Sequence, residues 1–392
     1  MKQICLYLHV HQPHRIKNTS VFDIGNFSNY FYDNEDTCKN SLNFNKIKHK
    51  SYFPTNNLLL KLLKDIKNFK VNLSITGVFI EQCLKYDREV LASFQKLVNT
   101  KKCEILAETY HHSLASLYSK KEFVKQVKKH NSMVKKYFNA KSSYFRNTEL
   151  IYSDKIAQMV EDMGYSGIIA EGTEKILLHK SSNYLYQTNT AKGINLLLKN
   201  YKLSDDVAWR FSNKGWVEYP LNAQKYVRWL EESDGEIINI FLDYETFGEH
   251  QWADTKIFDF LKQFVLLATF RGHKFISMSD IKTTPKEKIK CPFVISWADE
   301  ERDTSAWTGN SMQQACLQKL YNIEKQVLKT KNKGIINDWR HLQTSDHFYY
   351  MCTKYDNDGD AHKYFSPYKD PYEAFNNFNN CLFDLNQKIN FN

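Results

Sequence analysis

The sequence predicts an α/β protein, a parallel barrel, complete or incomplete, with a helical region packed on it. Three observations carry that reading. Apolar runs short enough for strands alternate with helix-period stretches over the first 280 residues. Ionisable residues recur where those runs end. After residue 283 the alternation stops and, past one short strand-like run, helical patterns continue. Strands apolar on both faces are what a sheet covered by helices requires, and strand–helix alternation implies βα units wound with one hand.

Taken in order, Ile4–Val10 predicts the first strand and Val71–Ile80 the second. Cys103–Ala107, Ser143–Phe145, Gly167–Ala170, the weaker Leu196–Leu198 and Ile237–Leu242 follow. Between them, Asn57–Phe69, Glu89–Thr100, Lys120–Phe138 and Ser153–Met163 read as helices. Thr283–Pro292 is a polar, Pro-containing connector. Beyond it, Ser311–Thr330, Asn337–Tyr350 and Pro371–Lys388 predict helices, with a short strand-like Phe293–Ser296 before them. The chain therefore divides into a barrel over 1–283 and a mainly helical region over 284–392.

Composition narrows the function. The chain has 392 residues, and 54 Lys and Arg against 44 Asp and Glu leave a net charge of +10 over a large surface. That balance permits a polyanion but does not demand one. The lysines of Lys120–Lys141 alternate with Phe123, Val127, Val134 and Phe138 at helical spacing, so they line a solvated face, and a nucleic-acid partner is not expected. No stretch approaches the ~18 apolar residues of a membrane span, and none is expected to meet a membrane. The opening MKQICLYLHVHQP lacks a signal-peptide cleavage pattern and reads as a buried strand. Eight scattered cysteines (Cys5, Cys38, Cys83, Cys103, Cys291, Cys316, Cys352 and Cys381), with no CxxC pair, point to a reducing, cytoplasmic setting.

In a parallel barrel the chemistry sits where strands end. Here those ends read His9-Val10-His11-Gln12-Pro13, Glu81-Gln82, Glu108-Thr109-Tyr110-His111-His112, Arg146-Asn147-Thr148-Glu149, Glu171 and Asp243-Tyr244-Glu245. A carboxylate after a buried run costs several kcal/mol unless it is paired or used. One is ordinarily structural; four or five at equivalent places are not explained by packing. Two facing carboxylates can cleave a glycosidic bond. The rival is a metal-dependent hydrolase or deacetylase in which His9-x-His11, with His111 or His112, binds a divalent ion. A binding protein without turnover is a third reading. Segments mixing rings with acids and amides, Asp243–Trp252, Ser296–Trp307 and Asp346–Tyr350, suit a sugar ligand.

Five segments in order resemble glycoside hydrolase family 57, its α-amylase-type members in particular: HVHQP (9–13), CEILAETYHHSLASLY (103–118), YFRNTELIY (144–152), FLDYETFGEH (241–250) and LQTSDHFYYM (342–351). The resemblance implies an incomplete (β/α)7 TIM-like barrel followed by a helical bundle, with retaining chemistry on an α-glucan or maltooligosaccharide and no metal or other cofactor. It implies Glu149 as nucleophile and Asp243 as acid/base. It also implies Glu81, Glu245 and Asp346 as supporting acids around the subsites, with His9, His11 and His111 on the sugar. The family includes 4-α-glucanotransferases, which use the same two carboxylates and are the alternative reading within it.

Overall fold

The computed structural model describes residues 1–27, 29–31, 39–354 and 362–391. Its strands are β1 (Gln3–Val10), β2 (Val71–Ile75), β3 (Cys103–Ile105), β4 (Tyr144–Arg146), β5 (Gly167–Glu171), β6 (Tyr186–Thr188), β7 (Asn195–Lys199), β8 (Ile237–Asp243), β9 (Lys274–Phe275) and β10 (Lys288–Ile289). One parallel arc runs β3-β2-β1-β8, and a second runs β4-β5-β7. A parallel bridge between Ala107 and Phe145 joins the arcs on one side.

The other seam closes through one backbone and one side-chain hydrogen bond. The Asn200 amide donates to the Asn239 carbonyl at 2.8 Å, and Asn239 Nδ2 donates to the Leu198 carbonyl at 2.9 Å. The start of β7 is paired instead with antiparallel β6, which has β10 on its far side. The seven parallel strands thus meet around the ring at their carboxyl ends, while β6 interrupts the ring at the start of β7. This is the incomplete (β/α)7 barrel that the family resemblance implies, and Leu196–Leu198 lies within β7.

One expected element is corrected. The second strand stops at Ile75, because Thr76 accepts from the Phe79 amide and caps a helix over Gly77–Tyr86. Glu81 therefore lies on a helix and not at a strand exit. Two expected C-terminal helices are each divided: Ser311–Asn322 with Glu324–Thr330, and Lys333–His341 with Ser345–Tyr349. The second break matters, since the turn at Leu342–Thr344 sends Ser345 and Asp346 toward the barrel mouth.

The helical region packs on the second arc. Trp307, Leu317, Trp339 and Phe378 share one buried apolar cluster with Phe145, Ile168, Leu196 and Leu198. The first arc is covered by Leu59, Phe94 and Phe264 from three flanking helices. The helix Lys120–Phe138 buries Phe123, Val127, Val134 and Phe138 and leaves Lys121, Lys128, Lys135 and Lys136 exposed, as its spacing predicts. The seven cysteines other than Cys38 are free and buried, and Cys38 lies outside the described residues. Among the described residues no helix is long and apolar enough to cross a membrane.

Asn239→Leu removes the donor to a buried carbonyl at the seam. We expect a stability loss of about 1–3 kcal/mol, the cost of an unmade buried hydrogen bond, read by denaturant unfolding.

Candidate active site

The strand ends open into a cleft of about 490 Å³ lined by His9, His11, Glu149, Asp243, Glu245 and Asp346, with Trp209 and Trp297 among its rings. Glu149 reaches it from a tight turn after β4 and has a left-handed backbone, φ 55° and ψ 28°. A non-glycine residue there is strained and persists only where neighbours fix it. They do: Tyr152 and Ile295 exchange backbone hydrogen bonds at 2.9 Å, and the Trp297 amide donates to the Glu149 carbonyl at 3.2 Å.

The Glu149 carboxylate is bound at both oxygens. His112 Nε2 lies 2.9 Å from Oε1, Ser345 Oγ donates to Oε1 at 3.1 Å, and Trp297 Nε1 donates to Oε2 at 2.8 Å. Burial pushes its pKa up, but the His112 hydrogen bond and charge, with Arg146 behind, hold it below the usual carboxylate range. Burial pulls His112 down, yet the carboxylates of Glu108, in ion-pair contact with Nδ1, and Glu149, hydrogen-bonded to Nε2, outweigh this and raise its pKa to about 9. A protonated histidine thus faces an ionised glutamate.

Asp243 ends β8 directly beside His9 in the parallel ladder. His9 Nδ1 is 3.4 Å from Asp243 Oδ1, and His9 Nε2 is 3.3 Å from Glu108 Oε2. Burial raises the Asp243 pKa, but His9, and His250 and Arg146 more remotely, bring it below its ordinary value. Its side chain is 36% exposed against 18% for Glu149, so Asp243 is the one open to solvent.

Glu245 is set differently. Burial pushes its pKa up to about 8, against hydrogen bonds from Tyr52 (2.5 Å to Oε1) and Gln12 (3.4 Å). The turn that follows needs glycine at 248, where φ is +106° and a Cβ would fall 1.9 Å from the Lys50 carbonyl oxygen. Asp346 comes from the helical region and lies 3.0 Å from His11 Nε2, while His11 Nδ1 is 3.0 Å from Thr76 Oγ1. Burial raises the Asp346 pKa, but His11 and His112 hold it well below the usual range. His11 is lowered to about 4, by burial and by the His112 charge.

Two expected site residues do not line the cleft. His111 turns away toward Lys129 Nζ (3.3 Å), because His112 adopts φ 52° and reverses the chain. His112 faces the cleft in its place. Glu81 lies behind the site, bound by His341 Nε2 (2.7 Å), Tyr110 OH (2.8 Å) and His14 Nε2 (3.6 Å). Glu171 is an internal ion-pair partner, 3.4 Å from Lys199 and 3.5 Å from Arg302. The expected set does not contain Glu108, His112, Ser345 or Trp297; Glu108 and His112 carry a signal as ionisable residues after a buried run, while Trp297 and Ser345 lie in segments singled out as a whole (296–307 and 342–351) and are not picked out within them.

Among the described residues three groups have metal-ligand spacing, and His11–His112–Asp346 in the cleft is the one that leaves the metal-dependent alternative open; the other two meet a geometric obstacle. Between Glu108 and His112 the cation present is Arg146, whose Nη1 lies 3.8 Å from Glu108 Oε2 and 3.3 Å from His112 Nδ1. In the outer His14–Glu81–His341 group, the 2.7 Å contact is a hydrogen-bond length, shorter than the roughly 3.3 Å between two ligands on a tetrahedral zinc with ~2.0–2.1 Å bonds.

Comparison with known proteins agrees with this architecture. The model of Glycosyl hydrolase family 57 matches residues 5–292. A Methanocaldococcus jannaschii protein named "Putative alpha-amylase" is 43% identical over 396 residues, covering 97% of this chain and 83% of that protein. The fold is similar to a branching enzyme of this family from Pyrococcus horikoshii, with TM-score 0.69 and 14% identity over 93% of this chain and 87% of that one. It is also similar to the 4-alpha-glucanotransferase from Thermococcus litoralis, with TM-score 0.65 and 16% identity over 88% of this chain. The match spans 56% of that longer enzyme.

Glu245 gives a pH-dependent stability. Its folded pKa, about 8, lies above the ordinary 4.5, so the unfolded chain binds fewer protons between those values and stability falls as pH climbs from 4.5 to about 8. Glu245→Gln removes that loss. Thermal unfolding is expected to give a higher Tm for the variant than for wild type at about pH 8.5 and the same Tm at about pH 4.5.

Proposed function

The chain belongs to glycosyl hydrolase family 57 and is a glycoside hydrolase, and from that premise we propose that it cleaves α-1,4-linked glucans with retention, as α-amylases do. Glu149 is the nucleophile and Asp243 the acid/base. The observation that carries the reading is the state of Glu149: an ionised carboxylate at the wall of an open cleft, with both oxygens held by donors from separate parts of the chain. A nucleophile has to be ionised, aimed and not free to rotate. The name of the 43% identical relative supports the α-amylase type.

In the first step a Glu149 oxygen attacks the anomeric carbon, the bond to the leaving sugar breaks, and the Asp243 proton passes to the leaving oxygen. In the second, the Asp243 carboxylate takes a proton from water, whose oxygen attacks the same carbon and releases Glu149. Before substrate binds, the neighbouring His9 favours the ionised form of Asp243. Glucan binding expels water, which penalises the separated charges and favours the proton on Asp243.

His11 and Asp346 offer polar groups to sugar hydroxyls, and protonated Glu245 adds a donor. At the rim Trp209 is 53% exposed and lies parallel to His250, 6.2 Å between ring centres, a platform for a pyranose face. Glu81 and His111 act from behind this surface and not on the sugar. The buried free thiols support a reducing, cytoplasmic setting.

The test is maltoheptaose, with product chromatography in the presence and absence of EDTA. Only shorter oligosaccharides, unchanged by chelator, are expected; products longer than the substrate would indicate the glucanotransferase alternative, and loss of activity with EDTA a metal-dependent enzyme. Glu149→Gln is expected to fold normally and to lose about 10³-fold or more in turnover. Wild-type activity in that variant would remove Glu149 from the mechanism.

A further inference from the structure

Glu108 touches neither the cleft nor, on the reading above, the substrate. It is fully buried three residues beyond β3, a position where an unpaired carboxylate is costly. Its surroundings are unusual for a structural acid. Oε2 faces three cationic or protonatable groups: His9 Nε2 at 3.3 Å, His112 Nδ1 at 3.8 Å and Arg146 Nη1 at 3.8 Å. The two histidine rings stack, 4.9 Å between centres. Each then uses its other nitrogen on one member of the proposed pair: His9 Nδ1 on Asp243 at 3.4 Å and His112 Nε2 on Glu149 at 2.9 Å. The groups stand in the order Asp243–His9–Glu108–His112–Glu149, with one buried carboxylate at the midpoint; its link to His112 is an ion-pair contact at 3.8 Å, and Arg146 Nη1 lies nearer the same His112 nitrogen, at 3.3 Å. A carboxylate needed only to neutralise Arg146 would not have to stand between two stacked imidazoles that both point at the reacting acids.

We infer that Glu108 is a positioning residue for catalysis, which orients His9 toward Asp243 and keeps His112 protonated against Glu149. The inference rests on the assignment of Glu149 and Asp243 above. The remaining charged or titratable neighbours of this line are Tyr7, hydrogen-bonded to Ser74 Oγ, Glu245, hydrogen-bonded to Tyr52, His11 and Asp346 at the cleft, His250 beyond Asp243, and His130, whose Nδ1 accepts from the Glu108 amide at 3.4 Å. None of them replaces Glu108. His11 and His250 are lowered by burial, as is His130, which faces a backbone carbonyl with its other nitrogen. Asp346 is engaged with His11. Arg146 opposes protonation of His112, so without Glu108 the balance tips toward neutral imidazole.

The experiment uses an activated α-maltosyl fluoride, whose fluoride departs without a proton from Asp243, so that the alkaline limb reports His112 and Glu149. Wild type is expected to keep its rate up to about pH 9, near the His112 value. In Glu108→Gln, loss of an opposite charge lowers the His112 pKa by about 1–3 units and moves the alkaline limb down with it. That corresponds to about a tenfold loss relative to wild type at about pH 8, with little change near about pH 5.5. A purely structural Glu108 predicts a lower Tm, or one scaling factor at every pH, and an unshifted profile would overturn the inference. If the variant does not fold, ¹⁵N-histidine titration of wild type decides: a His112 ring that titrates below about pH 7 also overturns it. Glu149→Gln assayed on the same fluoride separates the two claims. Full rate there rejects the nucleophile itself, whereas loss of rate there with an unshifted Glu108→Gln profile rejects only the role of Glu108.

Discussion

A carboxylate kept ionised at the mouth of a barrel has to be solvated by the protein, and the structure around Glu149 is organised by that need. Taking such a group out of water costs several kcal/mol, and each charge-assisted hydrogen bond returns about 1.5–3 kcal/mol. The three donors are His112 after β3, Trp297 beyond the barrel and Ser345 in the helical region. No local segment supplies them. The site therefore exists only when the barrel is closed and the helical region is seated on it.

The same requirement accounts for features that are otherwise unexplained. The left-handed backbone of Glu149 is held by the 295–297 segment, so strain at the site is balanced by pairing from a part of the chain nearly 150 residues away. The break at Leu342–Thr344 lets the Ser345 amide donate to the His112 carbonyl at 2.9 Å, which locks the helical region onto the loop that delivers His112. Glu108 then sits under both histidines. The electrostatic frame reaches from β8 to the turn after β4 through β1 and the segment after β3; its first link, Asp243 to His9, joins neighbours in the parallel ladder.

Much of this was legible in the sequence, for a physical reason. A buried run followed at once by ionisable residues is costly, so the ends of β1, β4 and β8 marked His9, His11, Glu149, Asp243 and Glu245, all of which line one cleft. The seven parallel strands were legible too, including the short β7. What escaped was whatever depends on backbone detail. Thr76 turns an apolar run from strand to helix by capping it, which moves Glu81 behind the site. The positive φ of His112 decides which of two adjacent histidines faces the cleft, and alternation cannot report that once β3 has ended at Ile105. Strands of two or three residues such as β6, β9 and β10 carry no periodicity. Trp297 and Ser345 lie in segments that the sequence singles out, 296–307 and 342–351, but their contact with Glu149 depends on long-range folding, so the segment was legible and the residue was not.

The central claim is that Glu149 becomes covalently bonded to the sugar. It is tested most directly by trapping: Asp243→Asn incubated with a fluorinated α-glucosyl fluoride, followed by proteolysis and mass spectrometry of the peptides. The account predicts one glycosyl adduct per chain, on the peptide containing Glu149. An adduct on Glu245 or on Asp346, or continued turnover of the fluoride with inverted product and no adduct, would contradict it.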